Sequence, residues 1–116
     1  YATNPDLRCP IDFGFIPDCG AICNMITDTT DKAPEYLGKP SKEVVEICLE
    51  ASGFSKEETL VVGDRLYTDI ACGINGGVDT CVVFTGEATP EDIKDTPYQP
   101  DYVFDNIKNL YEACIR

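Results

Sequence analysis

The chain contains no histidine. Ser-His and Cys-His nucleophilic catalysis are therefore excluded, and so is a zinc site that uses imidazole. Basic residues are scarce as well, with 9 Lys and Arg against 21 Asp and Glu, a net charge of −12 and a pI near 4.1. Such a balance argues against nucleic acid or an anionic membrane surface as a partner held by bulk electrostatics. The acidic surface is read as a solubility feature. No apolar run approaches the length of a bilayer span, and no signal peptide is visible. The first residue is Tyr1, set in sequence that already reads as structured. The expectation is a piece of a longer protein, about the size of one small domain.

Cysteine, in contrast, is abundant: seven in 116 residues. The number is odd, and Cys48, Cys72, Cys81 and Cys114 fall inside apolar patterns, where Cys behaves as a small hydrophobe. Cys19 and Cys23 are four apart, but no second pair has zinc-ribbon spacing. The cysteines are read as reduced core residues of a cytoplasmic protein.

Beyond about residue 35, short apolar runs alternate with helical patterns. Glu35–Gly38 is a short strand candidate. Val44, Ile47, Cys48 and Ala51 follow a helical spacing that Gly53 stops. Thr59–Val62 is a continuous β-rich run, expected to be a strand buried on both faces of a parallel sheet. A helix is expected over Thr68–Asn75, ending at Gly76-Gly77, and a buried strand over Thr80–Phe84. Thr89-Pro90-Glu91-Asp92 reads as a helix start, Tyr102–Phe104 as a third strand, and Asp105 as the cap of a last helix. In that last helix Ile107, Leu110, Tyr111 and Cys114 share a face. Alternating β and α at this spacing predicts an α/β fold with a parallel, Rossmann-like sheet. Pro, Gly and Asp punctuate residues 4–20, and only Ala21–Ile26 looks helical. A domain boundary is expected near Ala33-Pro34.

Ligands of open α/β sheets bind at the C-terminal ends of strands. Asp64 stands at such an end, after a Gly63 that is expected to let the backbone turn sharply. Asp69, five residues on, could face the same pocket. Two carboxylates there suit Mg²⁺, a hard cation that takes oxygen ligands and keeps several waters. An Asp at this position also serves simply as a helix cap. Lys39 likewise follows a short strand and precedes a helix; it is either an ordinary solvated lysine or a group that neutralises a phosphoryl oxygen. A P-loop is excluded because Ala33 stands where Gly is required and Pro40 follows Lys39. An EF-hand is excluded because neither acidic stretch has the alternating ligands and closing Glu.

Taken together, Lys39-Pro40-Ser41, Thr59–Ile70 (with its Gly63-Asp64-Arg65-Leu66-Tyr67-Thr68-Asp69) and Gly73–Val78 closely resemble the third and fourth motifs of the haloacid dehalogenase superfamily. The likeness is to its NagD / 4-nitrophenylphosphatase branch. Residues 2–6 and 17–21 resemble the closing stretch of that branch's large cap domain, and Thr85–Ala88 and Pro100–Asp105 extend the likeness.

The resemblance implies a cap remnant over residues 1–33 and the C-terminal half of the Rossmann-like core over 34–116. It implies a Mg²⁺-dependent phosphatase of small phosphorylated metabolites, such as a sugar phosphate or nucleotide monophosphate. Asp64 would be a direct Mg²⁺ ligand, and Asp69 would support the metal through water or an outer shell. Lys39 would hold the nucleophile and phosphoryl group, and Asn4, Asp6 and the loop Pro17–Gly20 would lie near the leaving group. Asp18 departs from the Gly of many relatives, which alters the loop. The larger departure is that no Asp-x-Asp nucleophile motif and following Ser/Thr motif occur upstream of Lys39. The chain is therefore expected to be inactive alone. Its Thr59–Val62 strand is expected to be an unpaired apolar edge, open to the missing N-terminal half or to another copy. A phospho-acceptor receiver domain fits less well, since its Lys follows the acceptor Asp in sequence.

Overall fold

Residues 1–115 are described in the computed structural model of the chain. The chain divides into two compact units between Gly38 and Lys39, a few residues past Ala33-Pro34.

The first unit holds a hairpin and a helix. Strands β1 (Arg8–Ile11) and β2 (Gly14–Pro17) pair antiparallel, Arg8 opposite Pro17 and Ile11 opposite Gly14. Prolines within the runs and a loop without an Asn-Gly or Asp-Gly pair hide this hairpin in the sequence. A two-stranded ribbon tolerates them because each strand has a free edge. Helix α1 spans Cys19–Thr30, longer than expected. The Asp18 carboxylate caps it by accepting the Cys19 N–H at 2.7 Å. The expected strand over Glu35–Gly38 shrinks to a single parallel bridge, Tyr36 with Ala2.

The second unit is the α/β part. Helix α2 (Glu43–Ser52) leads to β3 (Leu60–Gly63). A π-type turn, Leu66–Ile70, runs into α3 (Ala71–Gly76), so the expected single helix is two segments. Strand β4 (Asp79–Val83), the short α4 (Asp92–Asp95), β5 (Tyr102–Phe104) and α5 (Ile107–Cys114) follow. The sheet is parallel with order β3-β4-β5, Leu60 lying opposite Asp79 and Cys81 opposite Tyr102. Within this sheet β3 is therefore an edge, as expected.

Central β4 carries the core. Val82 packs with Leu66, Ile70 and Ala88, while a second cluster joins Val45, Cys72 and Val78, with Val61 against it. Burial on both faces fails for β3: Leu60 and Val62 are 38% and 39% exposed. Only the alternate residue, Val61, turns toward a packed layer. On α2 the inward residues are Val45, with Val44 and Leu49 beside it, whereas Ile47, Cys48 and Ala51 face outward. The sequence stripe was thus misplaced by about one residue. On α5, Ile107, Tyr111 and Cys114 are exposed. Of the seven cysteines, all free, only Cys72 and Cys81 are buried; burial raises both thiol pKa values. Cys48 and Cys114 are exposed, contrary to the core reading.

Two caps also differ. Asn106, not Asp105, caps α5: its extended backbone lets Oδ1 accept the Asn109 N–H at 3.0 Å. At Thr89 the hydroxyl donates to Asp92 Oδ2 at 2.6 Å, and helix α4 begins only at Asp92. No helix among the described residues is long and apolar enough to cross a membrane.

Thr80, fully buried in β4, is satisfied from outside the ladder. Its N–H and hydroxyl both reach Asp101 Oδ2, at 2.8 and 2.9 Å, just ahead of β5. Asp101→Ala leaves these buried donors without their acceptor, a cost of about 1–3 kcal/mol. A lower urea midpoint at unchanged slope is the expected result. An unchanged midpoint would remove this link from the stability of the sheet.

Candidate functional site

At the C-terminal end of β3 the chain passes from Gly63 to Asp64, and the loop after β4 folds over it. Glu87 N–H donates to Asp64 Oδ2 at 2.9 Å, and Ala88 N–H to the Asp64 carbonyl at 2.9 Å. Arg65 Nε meets Glu87 Oε2 at 2.8 Å, closing the same loop from the other side. A side chain at Gly86 would collide with the Asp64 carboxylate, so the loop can approach this closely only as glycine.

The π-type turn carries Asp69 and turns its side chain inward, leaving it 9% exposed. Such turns recur at functional positions because the extra residue re-aims a side chain. Asp69 Oδ2 accepts the Arg65 N–H at 3.2 Å, and Oδ1 accepts Lys39 Nζ at 2.5 Å. Gly63 does not have a positive φ. Its requirement is proximity, since a Cβ there would strike the Asp69 side chain. Gly63 is thus required for close packing and not, as expected, for a sharp turn.

Lys39 arrives from thirty residues away in sequence. The segment that carries it is pinned onto α3: Asn75 Nδ2 donates to the Pro40 carbonyl at 2.8 Å, and Cys72 Sγ to the Ser41 carbonyl at 3.3 Å. Lys39 keeps 52% of its side chain exposed. An ammonium has three donors, so the bond to Asp69 leaves capacity for an incoming anion.

The structure thus brings Lys39 and Asp69 into contact, with Asp64 at the strand end that leads into the same turn. Asn4 and Asp6 belong to the first unit. There Asn4 Oδ1 accepts the Asp6 N–H at 3.0 Å, and the Asp6 carbonyl accepts the Gly20 N–H at 2.8 Å. Sequence reasoning missed Arg65, Asn75, Gly86 and Glu87 as parts of the site. Only the likeness of Thr85–Ala88 to family sequence hinted at the last two.

The donor set can be tested against Mg²⁺. A carboxylate offers about four acceptor positions, and the Glu87 N–H takes one of those on Asp64. Each oxygen of Asp69 accepts one bond, so Asp69 has fewer open positions than Asp64 and is tied to Lys39 and the Arg65 N–H. Among the described residues no group of three or more His, Cys, Asp or Glu could hold a metal. A full protein cage for Ca²⁺ or Zn²⁺ is therefore not built here. One carboxylate with open positions fits Mg²⁺, which binds through one or two carboxylates plus waters and substrate oxygens.

A family model described as HAD-hydrolase-like matches residues 36–110. The chain belongs to this family. It is 41% identical over 106 residues to the acid sugar phosphatase of Staphylococcus haemolyticus, covering 91% of this chain and 40% of that protein. With the ribonucleotide monophosphatase NagD of Escherichia coli it shares 36% identity over 109 residues, covering 94% and 42%. The crystal structure of 4-nitrophenylphosphatase from Thermotoga maritima superimposes with a TM-score of 0.83 at 42% identity, covering 93% of this chain and 42% of that one. The chain thus spans about two fifths of the length of the relatives it matches. The haloacid dehalogenase likeness and its NagD / 4-nitrophenylphosphatase branch are borne out, as is the α/β class.

A double-mutant cycle tests the pair. Lys39→Met and Asp69→Asn should couple by on the order of 1 kcal/mol, a figure held down by the half-exposed lysine. Gly63→Ala, which displaces Asp69, should erase that coupling. Strict additivity in urea unfolding would mean that the Lys39–Asp69 bond contributes nothing.

Proposed function

We propose that the chain is the metal-binding portion of a Mg²⁺-dependent, cytoplasmic phosphatase that hydrolyses phosphomonoesters of small metabolites through an aspartyl-phosphate. In this reading residues 1–33 close the cap domain and residues 34–116 form the C-terminal half of the core. The observation that carries it is Lys39 held on buried Asp69 at the strand end that presents Asp64. The names of the relatives, an acid sugar phosphatase and a ribonucleotide monophosphatase, support a sugar phosphate or a nucleoside monophosphate as substrate.

Asp64 would hold Mg²⁺ directly, and Asp69 would support it through water. When bound, Mg²⁺ neutralises charge on the transferring phosphoryl group. Lys39 donates its remaining hydrogens to a phosphoryl oxygen, and Asp69 keeps the ammonium from swinging away. The Glu87 N–H fixes the Asp64 carboxylate, and the Ala88 N–H holds the Asp64 main-chain carbonyl. Asn4 and Asp6 contact the leaving group from the cap. No Asp-x-Asp pair precedes Lys39, so the 116 residues alone do not turn over substrate.

An assay with 4-nitrophenyl phosphate and Mg²⁺ tests this on the chain and on the complete gene product. The isolated chain should be inactive and the complete protein active, with chelation abolishing turnover. Asp64→Asn in the complete protein should lower kcat by roughly a hundredfold or more. Activity in the isolated chain, or near-normal Asp64→Asn turnover, would overturn the assignment.

One observation favours a second reading, a non-catalytic fragment that associates through β3. That strand pairs only with β4, and Leu60 and Val62 are half exposed on it. Such an edge offers unpaired backbone groups to the missing N-terminal half or to a second copy. Molar mass across a concentration series distinguishes the two, since a monomer throughout argues against self-association.

A further inference from the structure

Two thiols lie close together in the first unit, beside the Asn4–Asp6 segment, and neither has a role in the chemistry assigned above. Cys19 is the first residue of α1 and Cys23 lies one turn on, their sulfurs 4.0 Å apart. Both are half-buried, accessible to a small reagent. The Thr3 side chain and the backbones of Asn4 and Thr3 hydrogen-bond the Cys19 sulfur, and these bonds, with one from Cys23, bring its pKa from 9.0 down to about 7. The N-terminus of a twelve-residue helix favours the thiolate in the same direction. The charged and titratable groups facing the pair are the Asp18 carboxylate, bonded to the Cys19 N–H, and the Tyr36 phenol. The Tyr36 pKa is raised, first by burial and then by its bond to Cys23 and by the charge of both thiols.

We propose that Cys19 and Cys23 form a redox-active dithiol, in which Cys19 reacts with a hydroperoxide and Cys23 resolves the product to a disulfide within α1. The Cys19 thiolate attacks one peroxide oxygen, the O–O bond breaks, and the departing alkoxide or hydroxide takes a proton from solvent. Cys19 is now a sulfenic acid. The Cys23 sulfur then displaces hydroxide from the Cys19 sulfur, and its proton leaves with that hydroxide as water. Two electrons pass from the thiol pair to the peroxide.

Bond formation requires the sulfurs to close from 4.0 Å to about 2.05 Å. Cβ atoms of residues four apart in a helix stand about 5–6 Å apart and a disulfide needs about 3.5–4.5 Å, so Cys19 must also leave helical geometry while Gly20 next to it stays held by the Asp6 carbonyl. The Cys19 N–H is held by the Asp18 side chain rather than by a helix carbonyl, so the turn can shift around that residue. The inference does not depend on the phosphatase reading, because neither thiol takes part in that chemistry.

Exposure alone predicts a different outcome. Cys48 and Cys114 are the exposed thiols and would oxidise first, giving links between chains. The test is peroxide added below stoichiometry to the full chain at neutral pH, followed by alkylation and peptide mapping. A Cys19–Cys23 link should be the first product, and alkylation of Cys19 in the reduced chain should follow a thiolate with a midpoint of about 7. Cys23→Ser should leave Cys19 as a sulfenic acid that a dimedone-type probe captures. Links through Cys48 or Cys114 ahead of Cys19–Cys23, or a Cys19 midpoint in the ordinary thiol range of about 8.5, would overturn the proposal. Both of those readouts come from the unsubstituted chain, so they stand even if the variant does not fold.

Discussion

A carboxylate taken out of water must be compensated, and Asp69 is the residue at which this chain meets that constraint. Its side chain is nearly closed off from solvent, with one oxygen on the Arg65 N–H and the other on Lys39 Nζ. Three features of the fold follow. The residue before Asp64 must be glycine, because any larger side chain occupies the space of Asp69. The Leu66–Ile70 segment takes a π-type turn, which aims Asp69 inward while Ile70 still reaches the core. The segment after Lys39 must be tied to α3, through Asn75 and Cys72, for the ammonium to stay in reach.

The same arrangement explains why the site stands at the end of β3. Parallel pairing of β3 with β4 brings the loop after β4 beside Asp64, and the Glu87 and Ala88 N–H groups then orient that residue. A chain carrying a charge of −12 has little net attraction for phosphate. One lysine held against a buried acid supplies a fixed set of N–H donors that the bulk composition lacks. A charge placed in this way acts within a few ångströms, where screening by salt is weak.

Legibility varied with how local each signal was. Strand β5 and the end of α2 at Gly53 were readable because β-rich runs and left-handed glycine caps depend on a few adjacent residues. The hairpin was not, since Pro10 and Pro17 break the strand pattern and only cross-strand pairing reveals it. The inward face of α2 was misread by about one residue: Ile47 and Cys48 are as apolar as Val45, and only the position of α3 decides which turns in. The cap of α5 passed from Asp105 to Asn106 because backbone angles, not residue type, select between two adjacent capable side chains.

Sequence by itself determined the α/β class, the family, and the identity of Lys39, Asp64 and Asp69 as the residues to examine, because strand runs, glycine stops and motif spacing are properties of neighbouring letters. The Gly63–Ile70 stretch was legible as an acidic strand end, but its division of labour was not. Tertiary structure decided that Asp69 is the buried partner of Lys39, that Asp64 is held by the Glu87 N–H, and that Gly63 and Gly86 are there for close approach. Those facts depend on segments tens of residues apart meeting at one strand end, and no local pattern encodes that meeting.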